Sequence, residues 1–333
     1  MDKITMKDIA KAAKVSKSTV SRALSNDPRV NEETRKKVVK IAREMNYRPH
    51  QVAQALAKKN TNIIGVVLPT FPRTVADPFF LEFLQGIGEI AVEKGYSLTL
   101  PNLARKEIQN LGQVINKNTV DGVILTEPKI DDPRIKYLKE KEIPFVFLGN
   151  PMDKDDVYWV ETDNIRGSYL AMEYLIKSGH KKIATVAGSP DLVAGKYRYL
   201  GYKKALENYG LTIDKNLVCY ADFTEEGAYS AVLKLLEKRN DFTAIFVAND
   251  LMAFGVIKAL KEKGLSIPED IAVMGYDGIK LGEFIEPPLS TIKIPSRQMG
   301  RVALNLLIKL INGENVKDKH VLLPPELMVR ESA

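Results

Sequence analysis

The chain of 333 residues is poor in metal-binding and cross-linking side chains, with one cysteine, Cys219, and three scattered histidines: His50, His180 and His320. A single cysteine excludes an internal disulfide framework, and with so few histidines it argues against a cysteine-rich metal site or a zinc enzyme. No apolar run reaches the roughly 18 residues that a membrane-spanning helix needs. The opening stretch MDKITMKDIA lacks the apolar centre of a signal peptide, which predicts a cytoplasmic protein. We expect no metal, no cofactor and no membrane partner.

Charge is distributed unevenly along the chain. Residues 1–60 contain 15 Lys and Arg against 6 Asp and Glu, a net charge of +9. Since the whole chain has 49 basic and 42 acidic residues, the rest contains 34 and 36, a net charge of −2. This asymmetry predicts an N-terminal module that binds a polyanion, joined to a nearly neutral body. A lysine-rich surface that is merely solvated is the alternative reading of composition alone.

Three short helices are predicted within residues 1–48. Thr5 and Asp8 have the spacing of a capping box, while Ser16 and Asn31 are good N-caps for the second and third helices. Apolar residues at helical spacing give each helix one inward face: Met6, Ile9, Ala10 and Ala13, then Val20, Ala23 and Leu24, then Val38, Ile41, Ala42 and Met45. Two helices joined by a tight turn and closed by a third form a helix-turn-helix headpiece.

The second helix has the properties of a recognition helix. Its outer face carries four polar side chains near the N-terminus: Lys17, Ser18, Ser21 and Arg22. Arginine can bind guanine through two hydrogen bonds, and serine and lysine can reach bases or phosphates. A basic cluster on the third helix would add salt-dependent phosphate attraction: Arg35, Lys36, Lys37 and Lys40. The alternative is a small three-helix domain with a basic surface and no DNA partner.

The stretches DIAKAAKVSKSTVSRAL, VNEETRKKV and NYRP resemble the headpiece of the lactose-repressor/galactose-repressor (LacI/GalR) family of bacterial transcription regulators. The resemblance implies a homodimer that reads a pseudo-palindromic double-stranded DNA operator, with one half-site for each headpiece. Two positions depart from the family pattern. Lys14 stands where glycine is common in the turn between helices, and His50 stands where many members have asparagine.

Residues 49–60 follow the headpiece and can form only two helical turns, a length that is marginal alone in water. In the resembled family this segment is the hinge helix. It pairs with its copy in the minor groove, and a leucine at the position of Leu56 wedges between base pairs. The resemblance therefore assigns Leu56 to DNA binding and makes the hinge a switch that folds on DNA. An ordinary flexible linker is the alternative.

From residue 62 onward, apolar runs alternate with amphipathic helices. We predict strands at 62–69, 97–100, 122–126, 145–149, 182–188, 244–249 and 271–277, and helices near 79–93, 105–116, 133–141, 164–178, 196–209, 225–238 and 250–263. Apolar runs without polar alternation, separated by helices, indicate an α/β fold with parallel sheets covered on both faces. Seven such units predict two doubly wound lobes with a ligand cleft at the carboxyl ends of the strands.

The body also resembles the family core, which has the periplasmic sugar-binding-protein fold, through pieces such as TDNIRGSYLAMEYLIKSGHKKIATVAG and IFVANDLMAFGVIKAL. We expect residues 61–333 to form an effector-binding and dimerisation core. By analogy, its N-lobe comprises residues 61–161 and 291–320, and its C-lobe comprises residues 162–290 and 321–333. The chain would then cross between lobes near residues 161, 290 and 320.

Aromatic, arginine and Asp/Asn side chains follow several of the predicted strands. A sugar needs such a set, because its C–H faces pack on rings and its hydroxyls pair with carboxylates, amides and guanidinium groups. The resemblance assigns effector contacts to six residues: Phe79, Tyr158, Arg198, Phe223, Asn249 and Asp277. Asp163 and Asp250 fit helix caps as well as contacts. Ile294 departs from the family, since many sugar-responsive members have a polar residue there.

These observations predict a DNA-binding transcription regulator. The resemblance implies a repressor, and the DPFF segment is similar to that of family members that respond to a glucoside or other oligosaccharide. Open alternatives are a cytoplasmic sugar-binding protein without a DNA role, or a regulator answering to a nucleobase or a phosphoprotein corepressor. The run from Gly86 to Ala91 has the form of a dinucleotide-binding loop but lies inside an amphipathic helix pattern. No nucleophile elbow or phosphate-binding loop occurs, so we expect no enzyme and no catalytic residues.

Overall fold

The chain divides into two units, Met1–Thr61 and Asn62–Ala333. The computed structural model describes residues 4–24, 27–45, 47, 60–69, 77–101, 111–112, 115–152 and 155–333. The predicted hinge, including Leu56, lies outside the described residues except at its last position, residue 60. The first unit contains the helices α1 (Met6–Ala13), α2 (Lys17–Leu24) and α3 (Glu32–Glu44).

Each helix of the first unit begins at its predicted cap. At the start of α1, the Asp8 carboxylate accepts the backbone N–H of Thr5 at 2.8 Å. Ser16 Oγ accepts the backbone N–H of Thr19 at 3.0 Å in α2, and Asn31 caps α3 through its Oδ1. One buried apolar cluster joins the three helices: Ile9, Ala13, Val20, Ala23, Val30, Val38 and Ala42. The predicted helix-turn-helix arrangement is therefore confirmed.

The turn between α1 and α2 explains the unusual lysine in the sequence. Lys14 adopts the left-handed conformation, with φ 56° and ψ 45°. This conformation costs an L-residue about 1–2 kcal/mol, whereas glycine adopts it freely. The turn therefore keeps the glycine-like geometry with a strained lysine.

The second unit begins with a six-stranded sheet, which we call the sheet of the N-lobe. Its spatial order is β11 (His320–Leu323), β5 (Trp159–Thr162), β4 (Phe145–Leu148), β3 (Gly122–Thr126), β1 (Ile63–Val67) and β2 (Ser97–Thr99). All neighbours pair in parallel. Among the described residues, three helices pack on it: α4 (Pro78–Lys94), α5 (Pro133–Glu140) and α10 (Ser296–Ile311). Alternate strand residues such as Ile124 and Leu125 enter different apolar clusters, so both faces are buried.

A four-stranded parallel sheet forms the C-lobe. Its spatial order is β7 (Val218–Tyr220), β6 (Ile183–Ala187), β8 (Ala244–Val247) and β9 (Ala272–Met274). Four helices cover it: α6 (Asn164–Lys177), α7 (Val193–Asn208), α8 (Glu225–Lys238) and α9 (Asp250–Glu262). Short 3₁₀ turns lie at Lys215–Leu217 and Lys280–Glu283. An antiparallel ribbon of β10 (Thr291–Lys293) and β12 (Glu326–Met328) completes this lobe.

The chain crosses between the lobes after β5, after β10 and after β11. The expected second and third crossings, near residues 290 and 320, are a few residues too early. β10 still belongs to the C-lobe because it pairs with β12 and bridges Asp277, and β11 is an edge strand of the N-lobe sheet. The sequence pattern does not reveal these two short strands. Their hydrogen bonds place the second and third lobe boundaries a few residues later in the chain than expected.

All seven predicted strands occur, but β5, β7, β10, β11, β12 and the helix α10 are additional. The predicted helix at 105–116 lies largely outside the described residues. Gly86 and Gly88 lie inside α4, as the helix pattern predicts. A Cβ at position 86 would lie 1.9 Å from the Arg297 carbonyl oxygen, so this glycine lets α4 and α10 pack closely.

Candidate DNA-binding face and ligand cleft

The predicted recognition side chains lie along one helix, α2. Lys17, Ser18 and Arg22 are exposed, and Ser21 is half-buried. Ser18 Oγ is 2.7 Å from Ser16 Oγ, so it takes part in the hydrogen bonds at the start of the helix. Lys17 and Arg22 are thus the two long cationic side chains that this face presents to solvent.

The basic cluster of α3 is divided between two roles. Arg35 is half-buried, and its Nη2 donates to the backbone oxygens of Asp27 at 2.8 Å and Val30 at 3.1 Å. Arg35 therefore holds the loop before α3 in place, and its predicted contribution to phosphate attraction stays a prediction. Lys36 and Lys40 are exposed and reach Glu32 and Glu44 one helical turn away, at 3.0 and 3.9 Å, while Lys37 is exposed.

A cleft lies between the two lobes of the second unit. It has a volume of about 510 Å³, which includes space open to solvent. Its walls are Phe79, Phe80, Glu127, Pro128, Leu148, Gly149, Glu161, Thr162, Asn164, Ala194, Arg198, Asp277, Ile294 and Met299. Apolar side chains come mainly from the N-lobe, and the hydrogen-bonding side chains come from both lobes.

Arg198 organises the polar side of the cleft. This arginine of α7 is 7% exposed, and its Nη2 lies 2.9 Å from the Asp277 carboxylate. Nε donates to Asn164 Oδ1 at 2.9 Å, and Nη1 donates to the Ala248 carbonyl oxygen at 2.5 Å. The guanidinium carbon also lies 3.9 Å from the ring centroid of Tyr276. Because each of its three nitrogens has a partner and one face stacks on Tyr276, the orientation of this group in the cleft is fixed.

Glu161 and Asn164 extend this network to the first crossing between lobes. Asn164 Nδ2 donates to Glu161 Oε1 at 2.9 Å, so the amide joins that carboxylate to Arg198. Glu161, at the end of β5, is 5% exposed. Burial raises the pKa of Glu161 to about 7, against the lowering effects of Asn164, the Asn150 backbone and Arg198. The carboxyl group is thus close to half ionised at neutral pH.

The loop after β9 holds Asp277 in an unusual backbone conformation. Its φ is +110°, a region that side-chain-bearing residues rarely adopt. The neighbouring acid Asp250 fastens this loop, because Oδ2 accepts the Ile279 N–H at 2.8 Å and Oδ1 accepts Thr291 Oγ1 at 2.6 Å. Burial and the charge of Asp277 raise the pKa of Asp250 to about 8. Asp250 is therefore a support for the cleft, while Asn249 caps α9.

The structure brings three of the six expected effector residues together in the cleft: Phe79, Arg198 and Asp277. The other three lie elsewhere. Tyr158 precedes β5, with its ring 5.9 Å from Lys319 Nζ, and Phe223 is 1% exposed in the apolar core of the C-lobe. Asn249 is fully buried and accepts the Met252 N–H through Oδ1.

Sequence reasoning missed Glu161 and Asn164 as cleft residues. Both flank the end of β5, a strand that was not predicted, and residues after a parallel strand are the ones that reach a cleft. Asp163 between them caps α6 by accepting the Arg166 N–H at 2.8 Å. Ile294, which departs from the family pattern, does line the cleft, as an apolar wall.

The described residues form neither a membrane-spanning helix nor a metal-binding cluster. Among them, no helix is long and apolar enough to cross a membrane. No group of three or more His, Cys, Asp or Glu side chains within the described ranges is arranged to hold a metal ion.

The chain matches known proteins over its whole length. The family described as bacterial regulatory proteins, lacI family, matches residues 5–50, and the periplasmic binding protein-like domain matches residues 172–333. The HTH-type transcriptional regulator CelR of Thermobifida fusca is 35% identical over 332 residues, which cover 98% of each chain. Relatives of this kind are transcription regulators and not enzymes.

Solved structures agree with these sequence matches. The structure of a transcriptional regulator CelR–cellobiose complex is 34% identical, with a TM-score of 0.79 over 99% of this chain and 100% of that one. The lac repressor dimer bound to operator and the anti-inducer ONPF is 30% identical, with a TM-score of 0.88 over 99% of both chains. With a helix-turn-helix unit followed by a two-lobed binding fold, this chain belongs to the lacI family of bacterial regulatory proteins and is a DNA-binding transcriptional regulator.

Proposed function

We propose that the chain is a repressor that binds a pseudo-palindromic operator as a homodimer, under the control of a small sugar, a glucoside or other oligosaccharide, in the cleft. The observation that carries the sugar proposal is the Arg198–Asp277 pair, held rigidly at 2.9 Å in a cleft with an aromatic wall. Fixed charged donors and acceptors beside an aromatic ring suit a pyranose. The CelR–cellobiose complex, similar over the whole chain, supports the same class of ligand.

The DNA proposal rests on the exposed face of α2. Lys17, Ser18, Ser21 and Arg22 lie near the N-terminal half of this helix, the part that enters the major groove in helix-turn-helix proteins. The likeness to the lac repressor dimer bound to operator supports two headpieces on two half-sites. Leu56, outside the described residues, is proposed to wedge between base pairs in the minor groove.

A saccharide panel tests the effector proposal. Thermal unfolding of the full chain is followed with monosaccharides, glucosides and other oligosaccharides, and hits are titrated by calorimetry. A true effector at about 100 times its Kd stabilises the folded state by about 2.7 kcal/mol. Asp277→Asn should abolish the shift. Asp214→Asn removes an acid from a half-buried Arg239–Asp214 pair that does not line the cleft, and it should leave the shift intact.

The outcomes of that panel separate the alternatives. No binding by any saccharide, with binding by a nucleobase or by a phosphoprotein, would refute the sugar proposal. Calorimetry showing unchanged sugar affinity in Asp277→Asn would place the sugar outside the assigned cleft.

A mobility-shift titration with pseudo-palindromic DNA at several salt concentrations tests the DNA proposal. The full chain should bind with an affinity that falls steeply with salt, since Lys and Arg displace counterions from phosphates. Removal of residues 1–60 should abolish binding. Equal binding without those residues would refute the role of the headpiece.

A further inference from the structure

One buried acid in the cleft, Glu161, is linked to Arg198 only indirectly and makes no ion pair with it. Glu161 is 5% exposed and lines the cleft from the N-lobe side, at the end of β5. Arg198, the cationic side chain among the described cleft residues, makes its ion pair with Asp277 and reaches Glu161 only through the amide of Asn164. Burying a carboxylate without a cation is costly, and such groups are retained chiefly where function needs them.

The hydrogen bonds of Glu161 leave acceptor capacity unused. Asn164 Nδ2 donates to Oε1 at 2.9 Å, and the Asn150 backbone supplies a second donor. An ionised carboxylate offers about four acceptor positions, so about two remain for a ligand. Donors that complete such a group are hydroxyl, amide or ammonium hydrogens, and phosphate or carboxylate oxygens would instead face a like charge.

We propose that Glu161 is a specificity-determining residue that accepts a hydroxyl of a neutral sugar and excludes phosphorylated and other anionic sugars from the cleft. This inference rests on the proposed sugar function and names the charge class of its ligand. Acidic groups exceed basic ones around the cleft: Glu127, Glu161 and Asp277 line it with Arg198. The pKa of Glu161, raised to about 7 by burial, agrees with a carboxyl that lacks a cation and gains from donors brought by a ligand.

Glu161 and the Arg198–Asp277 pair lie on opposite lobes, so a sugar that contacts both connects the two lobes. Asn164, Arg198 and Asp277 belong to the C-lobe side, whereas Glu161 ends a strand of the N-lobe sheet. A sugar that pairs with both sides links the two lobes beside the first crossing of the chain. A ligand that satisfies only the Arg198–Asp277 side would leave the remaining acceptor positions of Glu161 unfilled.

The test compares neutral sugars with their phosphates on the full chain. Calorimetry at pH 8, where Glu161 is largely ionised, measures Kd for glucose, cellobiose and maltose and for the 6-phosphate of each. For whichever sugar binds, we expect the neutral form to bind at least about 100-fold more tightly than its 6-phosphate. The reason is that the phosphate and the Glu161 carboxylate, two negative charges at close range, repel strongly in a cleft of low polarity. In Glu161→Gln the neutral sugar should bind roughly tenfold more weakly, because a charged acceptor is replaced by a neutral one. The preference over the phosphate should fall to about tenfold or less.

Glu173→Gln is the matched control, because it removes a carboxylate from α6 at a site that does not line the cleft. It should leave both affinities within about twofold of the unaltered chain. Unfolding without ligand establishes that Glu161→Gln folds, and the comparison of neutral and phosphorylated sugars on the unaltered chain needs no variant. Equal affinity for the two forms, or an unchanged preference in Glu161→Gln, would overturn the assignment of Glu161 alone. Failure of every neutral and phosphorylated saccharide to bind would overturn the sugar function, and this inference with it.

Discussion

Replacing Arg198 with lysine tests whether the cleft is held rigid before a ligand arrives. The ammonium group of lysine can keep the ion pair with Asp277. It is a compact point charge, however, and cannot reproduce the several donors that the planar guanidinium group of arginine holds in fixed directions. It cannot at the same time replace the bonds to Asn164 Oδ1 and the Ala248 carbonyl oxygen. It also loses the stacking of a planar cation at 3.9 Å from the centroid of the Tyr276 ring. Arg198→Lys should therefore destabilise the protein although charge is conserved.

The expected loss follows from these contacts. Each hydrogen bond to a charged donor contributes about 1.5–3 kcal/mol, and the stacked cation contributes about 0.5–2 kcal/mol. Arg198→Lys loses two such hydrogen bonds and the stacking. The lysine ammonium and water molecules that enter the space restore part of this energy, so the free energy of unfolding should fall by about 3–5 kcal/mol. Disruption of a buried charge pair typically has the same magnitude.

Urea unfolding measures this loss, followed by far-ultraviolet circular dichroism and by the fluorescence of Trp159. This is the only tryptophan of the chain and it lies in β5, so its signal reports on the second unit. Arg166→Lys is the control, because Arg166 is exposed on α6 and lies 5.8 Å from the Tyr169 ring centroid. It should change stability by no more than about 0.5 kcal/mol. A loss below about 1 kcal/mol for Arg198→Lys would refute the claim that this network is a preorganised structural element.

Four further predictions concern the headpiece, the hinge and the cleft. Arg22→Ala should weaken operator binding by about 1–3 kcal/mol and relax base preference, as measured by anisotropy on operator variants; a uniform loss on all sequences would contradict base contact. Leu56→Ala should weaken specific binding more than non-specific binding in the same assay, and equal losses would count against a wedge. Lys14→Gly should stabilise the helix-turn-helix by about 0.5–1 kcal/mol, because glycine adopts the φ of 56° without strain. Amide hydrogen exchange in α1 and α2 of the full chain should therefore slow, and faster exchange would show that the lysine conformation is not strained. The folded-state pKa of Glu161 lies near 7, above its ordinary 4.5, so the folded protein binds this proton more tightly and stability falls as pH rises between those values. Glu161→Gln should reduce that slope by up to about 1.4 kcal/mol per pH unit, and an unchanged slope in urea titrations would disprove the shift.

Local rules predicted the first unit well because its structure is decided by neighbouring residues. Caps at Thr5, Ser16 and Asn31 and apolar residues at helical spacing depend only on the near sequence. Arg35 shows the limit of this reasoning. A basic residue on an amphipathic helix reads as a solvent-facing charge, but its guanidinium turns to the carbonyls of Asp27 and Val30 in the preceding loop.

In the second unit, apolar runs in the sequence predicted seven strands, but five short strands were not predicted. β5 reads WVET and β11 reads HVLL, so these two strands offer only two and three consecutive apolar residues. Both are held by pairing with each other in register, His320 with Trp159 and Leu323 with Thr162. Since that pairing joins segments far apart in the chain, no local pattern reveals it. The omission of β5 also hid Glu161 and Asn164.

Of the three aromatic residues expected to contact an effector, Phe79 lines the cleft, whereas Tyr158 and Phe223 do not. A phenylalanine near a strand end can face the cleft or the core, and sequence position does not distinguish the two. Phe79 follows the cap Asp77 and reaches the cleft. Phe223 has a φ of +65° and turns its ring toward Gly188, where a Cβ would lie 2.1 Å from the ring. The missing side chain at Gly188 makes the space that draws this ring into the core.

Asp277 was found from sequence because it ends an apolar run, yet its function depends on long-range contacts. Its N–H donates to the Ile292 carbonyl oxygen at 2.8 Å, and its own carbonyl oxygen accepts the Ile294 N–H at 3.2 Å, so it is bound to β10 just before the chain crosses to α10. A residue with φ +110° carries strain of about 1–3 kcal/mol, which persists only where the surroundings fix it. Asp250 fixes it by holding the loop at Ile279 and the crossing strand at Thr291 together. Since the backbone of Asp277 is bonded to the strand that leads into the crossing, we expect a ligand that binds the Asp277 carboxylate to act on the junction between the lobes.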